Sequence, residues 1–260
     1  MGHAVGEPDP GPGDATSEFE ACTGTDPSPT ETAERLLVAC RRGDSPDPYE
    51  AALAAADEAW LRPLRESHTA ALAFWLNCYN AGTQLLLERR PDRYESRLRS
   101  LRFFRAPAVT VAGTDLSLDR IENGILRGGR SKLGFGYLPK LLVTSFERRY
   151  GLPDCDPRVH FALNCGAASC PAIRVYDPGR VDEQLDAATR AYLDTTVAYD
   201  PGADVARLPR VFRWFPGDFG GPGGGVRGFL REYDALPDDA EPTLRYRSWD
   251  WTRRAGKFVE

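Results

Sequence analysis

The chain has 260 residues with 33 basic and 38 acidic side chains, a net charge of −5, and is 42% hydrophobic and 27% charged. That length buries a sizeable core without help from metal or disulfides, and the composition excludes a fibrous or wholly disordered protein. The acidic balance argues against a nucleic-acid partner, which needs many uncompensated positive charges.

The opening MGHAVGEPDPGPGD has no apolar stretch of the kind a signal peptide needs. Residues 70–87 form the longest apolar run, but Asn77, Asn80 and Gln84 interrupt it. A lipid-facing span would bury those amides at high cost. A cytoplasmic protein with no membrane partner is expected, and its six cysteines are then mainly thiols.

Residues 1–29 are rich in Gly, Pro, Asp and Thr without periodicity and read as a disordered leader. A first helix is predicted from a Thr30 cap through Val38, and a second from Asp47-Pro48 to Trp60. The strongest signal is 69–89, where Leu72, Trp75, Leu76, Tyr79, Thr83, Leu86 and Leu87 recur at helical spacing. Asn77, Asn80 and Gln84 share a narrow stripe on this helix, so it either bonds neighbouring backbone or lines a cleft. Further helices are predicted at 98–104, 119–126, 181–193 and 226–233, and strand at 108–111, with Gly113-Thr114 turning the chain into 116–118, and with 173–176 extended. Residues 140–150 read as strand or short helix, 205–215 as strand, 218–225 as a flexible loop, and 243–251 as an aromatic tail. Helices dominate with short strands between them. The fold class is therefore α+β, one mostly helical domain over 30–260 with a small sheet and a Cys/His-containing central loop.

Three segments, AFWLNCYNAG (73–82), LSLDRIENGILRG (116–128) and DPRVHFALNCGAASCPAIRVYDPGRVDEQLDAATRAYL (156–193), resemble the DUF547 family, a domain of unknown function. LPRVFRWFPGDFGG (208–221) and YRSWDWT (246–252) resemble the family's close. By position, Phe74, Trp75, Asn77, Tyr79 and Asn80 match the first motif. Ile121, Glu122, Ile125, Leu126 and Arg127 match the second, and Asp156, Pro157, Arg158, His160, Asn164, Cys165, Ser169, Cys170 and Pro171 the third. Many relatives carry His where this chain has Asn123, so a site built on that imidazole is altered here. The resemblance implies no named activity.

Cys155, His160, Cys165 and Cys170 are spaced five apart, and Pro157, Gly166 and Pro171 rule out one continuous helix through them. The set has chemical meaning only if the segment folds back. The leading expectation is a thiol-dependent hydrolase or acyl transferase, with Cys170 as nucleophile, His160 as base, and Asn164 or Glu122 orienting the imidazole. Asn77, Asn80, Arg127 and Arg158 are the candidate binding residues for a small-molecule or peptide-like substrate. Glu122 and Arg127 lie five apart, too far around an α-helix to pair, so Arg158 or His160 is the expected partner of Glu122. No cofactor and no metal ligand is assigned. A non-catalytic binding or scaffold domain is one alternative, and a zinc-stabilised domain using the Cys/His set is another.

Overall fold

The computed structural model describes residues 1–2, 27–94, 102–221 and 225–259. The protein is α+β, with two small sheets set among helices. Most of the expected leader lies outside the described residues, and so does most of the helix predicted over 98–104, of which 102–104 are helical.

Helix α1 (Pro29–Arg42) starts on Ser28, whose hydroxyl accepts the Glu31 N–H, rather than on Thr30. Pro29 then occupies the first helical position, where its missing N–H costs nothing. Helix α2 (Asp47–Ala55) ends five residues earlier than predicted, and its start has no side-chain cap. A short α3 (Pro63–Glu66) leads into α4 (His68–Arg89), capped by Ser67. Every residue of α4 from Ala71 to Leu87 is buried. It is the central element of the fold and has no solvated face, so Asn77 and Asn80 find their partners within the protein.

Around α4 lie α1, a hairpin of β1 (Pro107–Val111) and β2 (Thr114–Ser117), and a π-helix over Arg120–Leu126. The segment predicted as strand or short helix becomes α5 (Ser145–Tyr150). It is started by a capping box in which Thr144 and Glu147 exchange side-chain and backbone bonds. Trp75 packs edge-on against Phe74 and Phe146 at 4.7 and 6.1 Å.

A 3₁₀ turn, Pro157–Phe161, precedes α6 (Val181–Thr196). The second sheet follows: β3 (Ala198–Asp200) runs antiparallel to β4 (Val205–Leu208), which pairs in parallel with β5 (Thr243–Tyr246). The strand expected over 205–215 stops at Leu208 and turns into α7 (Val211–Trp214). The expected loop from 218 starts inside a 3₁₀ turn, Pro216–Phe219, and α8 (Gly225–Glu232) packs beyond it. Both departures have one cause. Phe161, Phe212, Phe219 and Phe229 meet in a second core, to which the helical turns at 211–214 and 216–219 bring Phe212 and Phe219.

The two cores meet at the 157–161 turn. Val159 belongs to the first and Phe161 to the second, and both are fully buried. His160 sits between them. No helix among the described residues is long and apolar enough to cross a membrane.

Candidate active site at the junction of the two cores

Asp156 caps the 157–161 turn by accepting the Arg158 N–H at 2.9 Å. That turn presents His160, 8% exposed, toward the 215–219 segment. The imidazole stacks on Phe215 with ring centroids 4.7 Å apart and planes at 10°. Its Nε2 lies 2.8 Å from Asp218 Oδ2. The same oxygen accepts the Arg127 Nε–H at 2.6 Å, and Arg130 Nη1 donates to Oδ1 at 3.2 Å. The Arg127 guanidinium lies over the Phe215 ring at 4.1 Å, and a second nitrogen bonds the Asn123 side-chain oxygen. Its Nη2 is buried and finds no acceptor among the described residues.

Asp218 is the functional candidate that sequence reasoning missed. It stands in DFGGPGGG, where the glycines suggest a loop, and nothing local shows that its side chain is fully buried. Its burial works against its charge, but the bonds from His160 and Arg127 outweigh that and hold the carboxyl well below the usual carboxylate range.

Among the described residues, Cys155 is the sulfur that stands beside this pair. Its Sγ, a His160 ring nitrogen and an Asp218 carboxylate oxygen all lie within 4.8 Å of one another. Burial and, next, the Asp218 charge push its thiol up to about 12, against the pull of Arg127 and Arg130. These three atoms could ligate a metal ion, but Asp218 is already neutralised by two guanidinium groups, a poor setting for a cation.

Glu122 reaches the site from the π-helix. In that winding the Arg127 N–H bonds the Glu122 carbonyl at 2.9 Å, five residues back. Residues five apart then lie on roughly the same side, and the α-helical argument against a Glu122–Arg127 relation does not apply. Burial raises the Glu122 carboxyl, with Arg127 and then His160 opposing, while the Tyr79 hydroxyl donates to it at 3.3 Å. Gly124 lets this helix close on α5, since a Cβ there would come within 2.3 Å of Glu147 Oε1. Asn123 bonds Arg127 and the Asp119 carbonyl.

The other expected residues do different work. Arg158 pairs with Asp156, Asp182 and Asp186 and pins the turn to α6, away from Glu122. Asn77 brackets Tyr176, donating to its carbonyl at 2.8 Å and accepting its N–H at 2.9 Å. Asn80 donates to the Ala162 carbonyl at 3.0 Å and accepts the Asn164 N–H at 2.9 Å. The Asn164 side chain bonds the Pro171 carbonyl and the Gly166 N–H, closing the loop that follows. The group bonded to the imidazole is thus Asp218, while Asn164 holds the backbone. Cys170 lies against Cys165, and no hydrogen bond joins either sulfur to His160 among the described residues.

A surface cavity of about 520 Å³ adjoins the site, lined by Gly129, Arg130, Gly136, Tyr137 and Gly217 among others. Gly136 has φ +81°, and a Cβ there would lie 2.5 Å from Asp218 Oδ1. Glycine at that position is what lets the 130–139 loop lie directly over the carboxylate. Arg130 lines the cavity and reaches Asp218, linking the opening to the buried pair.

The model of a family described as a protein of unknown function, DUF547, matches residues 63–193. The chain belongs to the DUF547 family. The matched span of this DUF547 protein contains Glu122, Arg127, Cys155, His160, Cys165 and Cys170, and it stops before Phe215 and Asp218. No curated protein and no solved structure matches the chain.

The raised Glu122 carboxyl has a thermodynamic consequence. A carboxyl whose folded pKa exceeds its unfolded one binds more protons when folded, so its contribution to stability falls as pH rises between the two values. Glu122→Gln removes that cost and keeps an acceptor for Tyr79. It raises stability at pH 7 by about 0.5–2 kcal/mol, with the gain shrinking toward pH 4. Thermal unfolding of both proteins from pH 4 to pH 8 measures this, and a difference constant across the range counts against it.

Proposed function

We propose that this DUF547 protein is a thiol-dependent hydrolase or acyl transferase in which His160, oriented by Asp218, handles the proton and Cys155 supplies the nucleophile. The observation that carries the reading is the buried 2.8 Å His160–Asp218 bond with the Cys155 sulfur within 4.8 Å of both. A nucleophile beside a base that is itself held by a third group is the arrangement acyl transfer needs.

Asp218 holds the imidazole through Nε2, and a His160 ring nitrogen within 4.8 Å of the Cys155 sulfur is the group that accepts the thiol proton. A thiol pushed up to about 12 is not a resting thiolate. Its proton therefore passes to His160 as the sulfur attacks a carbonyl carbon. The imidazolium next protonates the leaving group, and a thioester remains on Cys155. Water or an acceptor then attacks the thioester, gives its proton to His160 and releases the thiol. The unpartnered Arg127 Nη2 is a donor suited to an oxygen that gains negative charge.

Incubation with p-nitrophenyl acetate, followed by peptide mapping, tests the reading. Acetyl thioester is expected on Cys155 in the wild type. It falls at least tenfold in His160→Gln and disappears in Cys155→Ser, with both variants folded by circular dichroism. Equal acetylation of wild type and folded His160→Gln, or none at Cys155, overturns it.

A further inference from the structure

We infer that Cys165 and Cys170 form a second reactive site, a dithiol that exchanges with small-molecule disulfides. It is independent of Cys155 and His160. Five positions apart in sequence, the two sulfurs lie 2.6 Å from each other, within bond-forming reach. The loop between them is closed from both sides. At its base, Asn164 spans from the Gly166 N–H to the Pro171 carbonyl, at 2.9 and 2.7 Å. Outside it, the C-terminal segment runs alongside as a strap. The Ala168 N–H donates to the Thr252 carbonyl at 2.8 Å, and the Arg254 N–H to the Gly166 carbonyl at 2.7 Å. The Lys257 ammonium bonds the carbonyls of Ala168 and Cys170. The loop-closure entropy that opposes disulfide formation has thus already been met by the fold.

The two thiols differ in exposure and in charge. Cys165 is partly exposed, whereas Cys170 is 1% exposed. The Cys165 N–H points at the Cys170 sulfur at 3.1 Å. Burial works against charge on Cys170. The Cys165 thiol, the Ala167 and Cys165 N–H groups and the Lys257 ammonium together hold it below an ordinary thiol. Exposure makes Cys165 the sulfur a disulfide meets first, although its bond to Cys170 and its burial raise its own thiol above an ordinary one, and Cys170 is the resolving sulfur behind it.

With glutathione disulfide as oxidant the steps balance. The Cys165 sulfur attacks one sulfur of glutathione disulfide, forming a Cys165–glutathione bond and breaking the glutathione S–S bond. The departing glutathione thiolate takes up the Cys165 proton. The Cys170 sulfur then attacks Cys165, forming the Cys165–Cys170 bond and expelling a second glutathione thiolate, which takes up the Cys170 proton. Two electrons pass from the dithiol to glutathione disulfide.

The test is incubation of the full chain with glutathione disulfide, then alkylation and peptide mapping. In the wild type a 165–170 cross-link is expected while Cys40, Cys78 and Cys155 remain alkylatable. Cys170→Ser traps glutathione on Cys165, and Cys165→Ser leaves Cys170 unmodified. A wild type in which both thiols stay alkylatable overturns the inference without recourse to any variant. So does a folded Cys170→Ser that accumulates no adduct at Cys165.

Discussion

Asp218→Asn is expected to destabilise the protein by about 3–5 kcal/mol, the range for breaking a buried ion pair from one side. Arg127 and the Asp218 side chain are both fully buried and 2.6 Å apart. The substitution keeps the volume and one acceptor oxygen but strands the guanidinium without its counter-charge. Arg130→Gln, at the other carboxylate oxygen, is the internal control. Its side chain is 34% exposed and 3.2 Å away, so water replaces the lost contact and the cost stays below about 1 kcal/mol. The pH dependence has a definite sign. A carboxyl held below its unfolded value contributes stability above that value and loses it as pH falls through the folded one. The gap between wild type and Asp218→Asn therefore persists through mildly acidic pH and closes only in strong acid. Urea unfolding at pH 7 and pH 5 measures it, and an Asp218→Asn protein within 1 kcal/mol of wild type would show that the cluster is not a stabilising centre.

Asn80→Ala is the second large effect, about 2–4 kcal/mol. The substitution leaves the Ala162 carbonyl and the Asn164 N–H buried without their partners, each costing about 1–3 kcal/mol. These groups flank the turn that carries His160 and the loop that carries Cys165, so the loss has a local signature. Amide exchange should accelerate over 162–166 while α6 keeps its protection. Asn80→Asp retains an acceptor for Asn164 but loses the donor to Ala162 and adds a buried charge, so it does not rescue. A role in substrate contact alone predicts the opposite pattern, with stability unchanged by Asn80→Ala.

Several elements were legible because their signals are local. The periodicity of 69–89 gives α4 almost to the residue, and the apolar repeat at Val181, Leu185, Ala188 and Tyr192 gives α6. The motifs of the DUF547 resemblance name most groups around the junction, including His160, Glu122 and Arg127. The amide stripe of α4 posed its own question, cleft or tether, and the backbone bonds of Asn77 and Asn80 answer it as tether. Helix ends were less legible. Thr30 and Ser28 are both good caps, and the choice between them depends on where Pro29 can sit.

What the sequence by itself determined is the α+β class, the central helix and the chemical types gathered in the 155–171 segment. Those follow from periodicity, capping and composition, which act over a few residues. The tertiary structure alone decided who meets whom. It brought Asp218, 58 positions away, to the imidazole. It set Cys155 rather than Cys170 beside that pair, and it wound 120–126 as a π-helix so that Glu122 and Arg127 share a side. The reason is physical: two cores packed around Val159 and Phe161 fix the 157–161 turn between them, and no local propensity encodes which distant carboxylate that packing delivers.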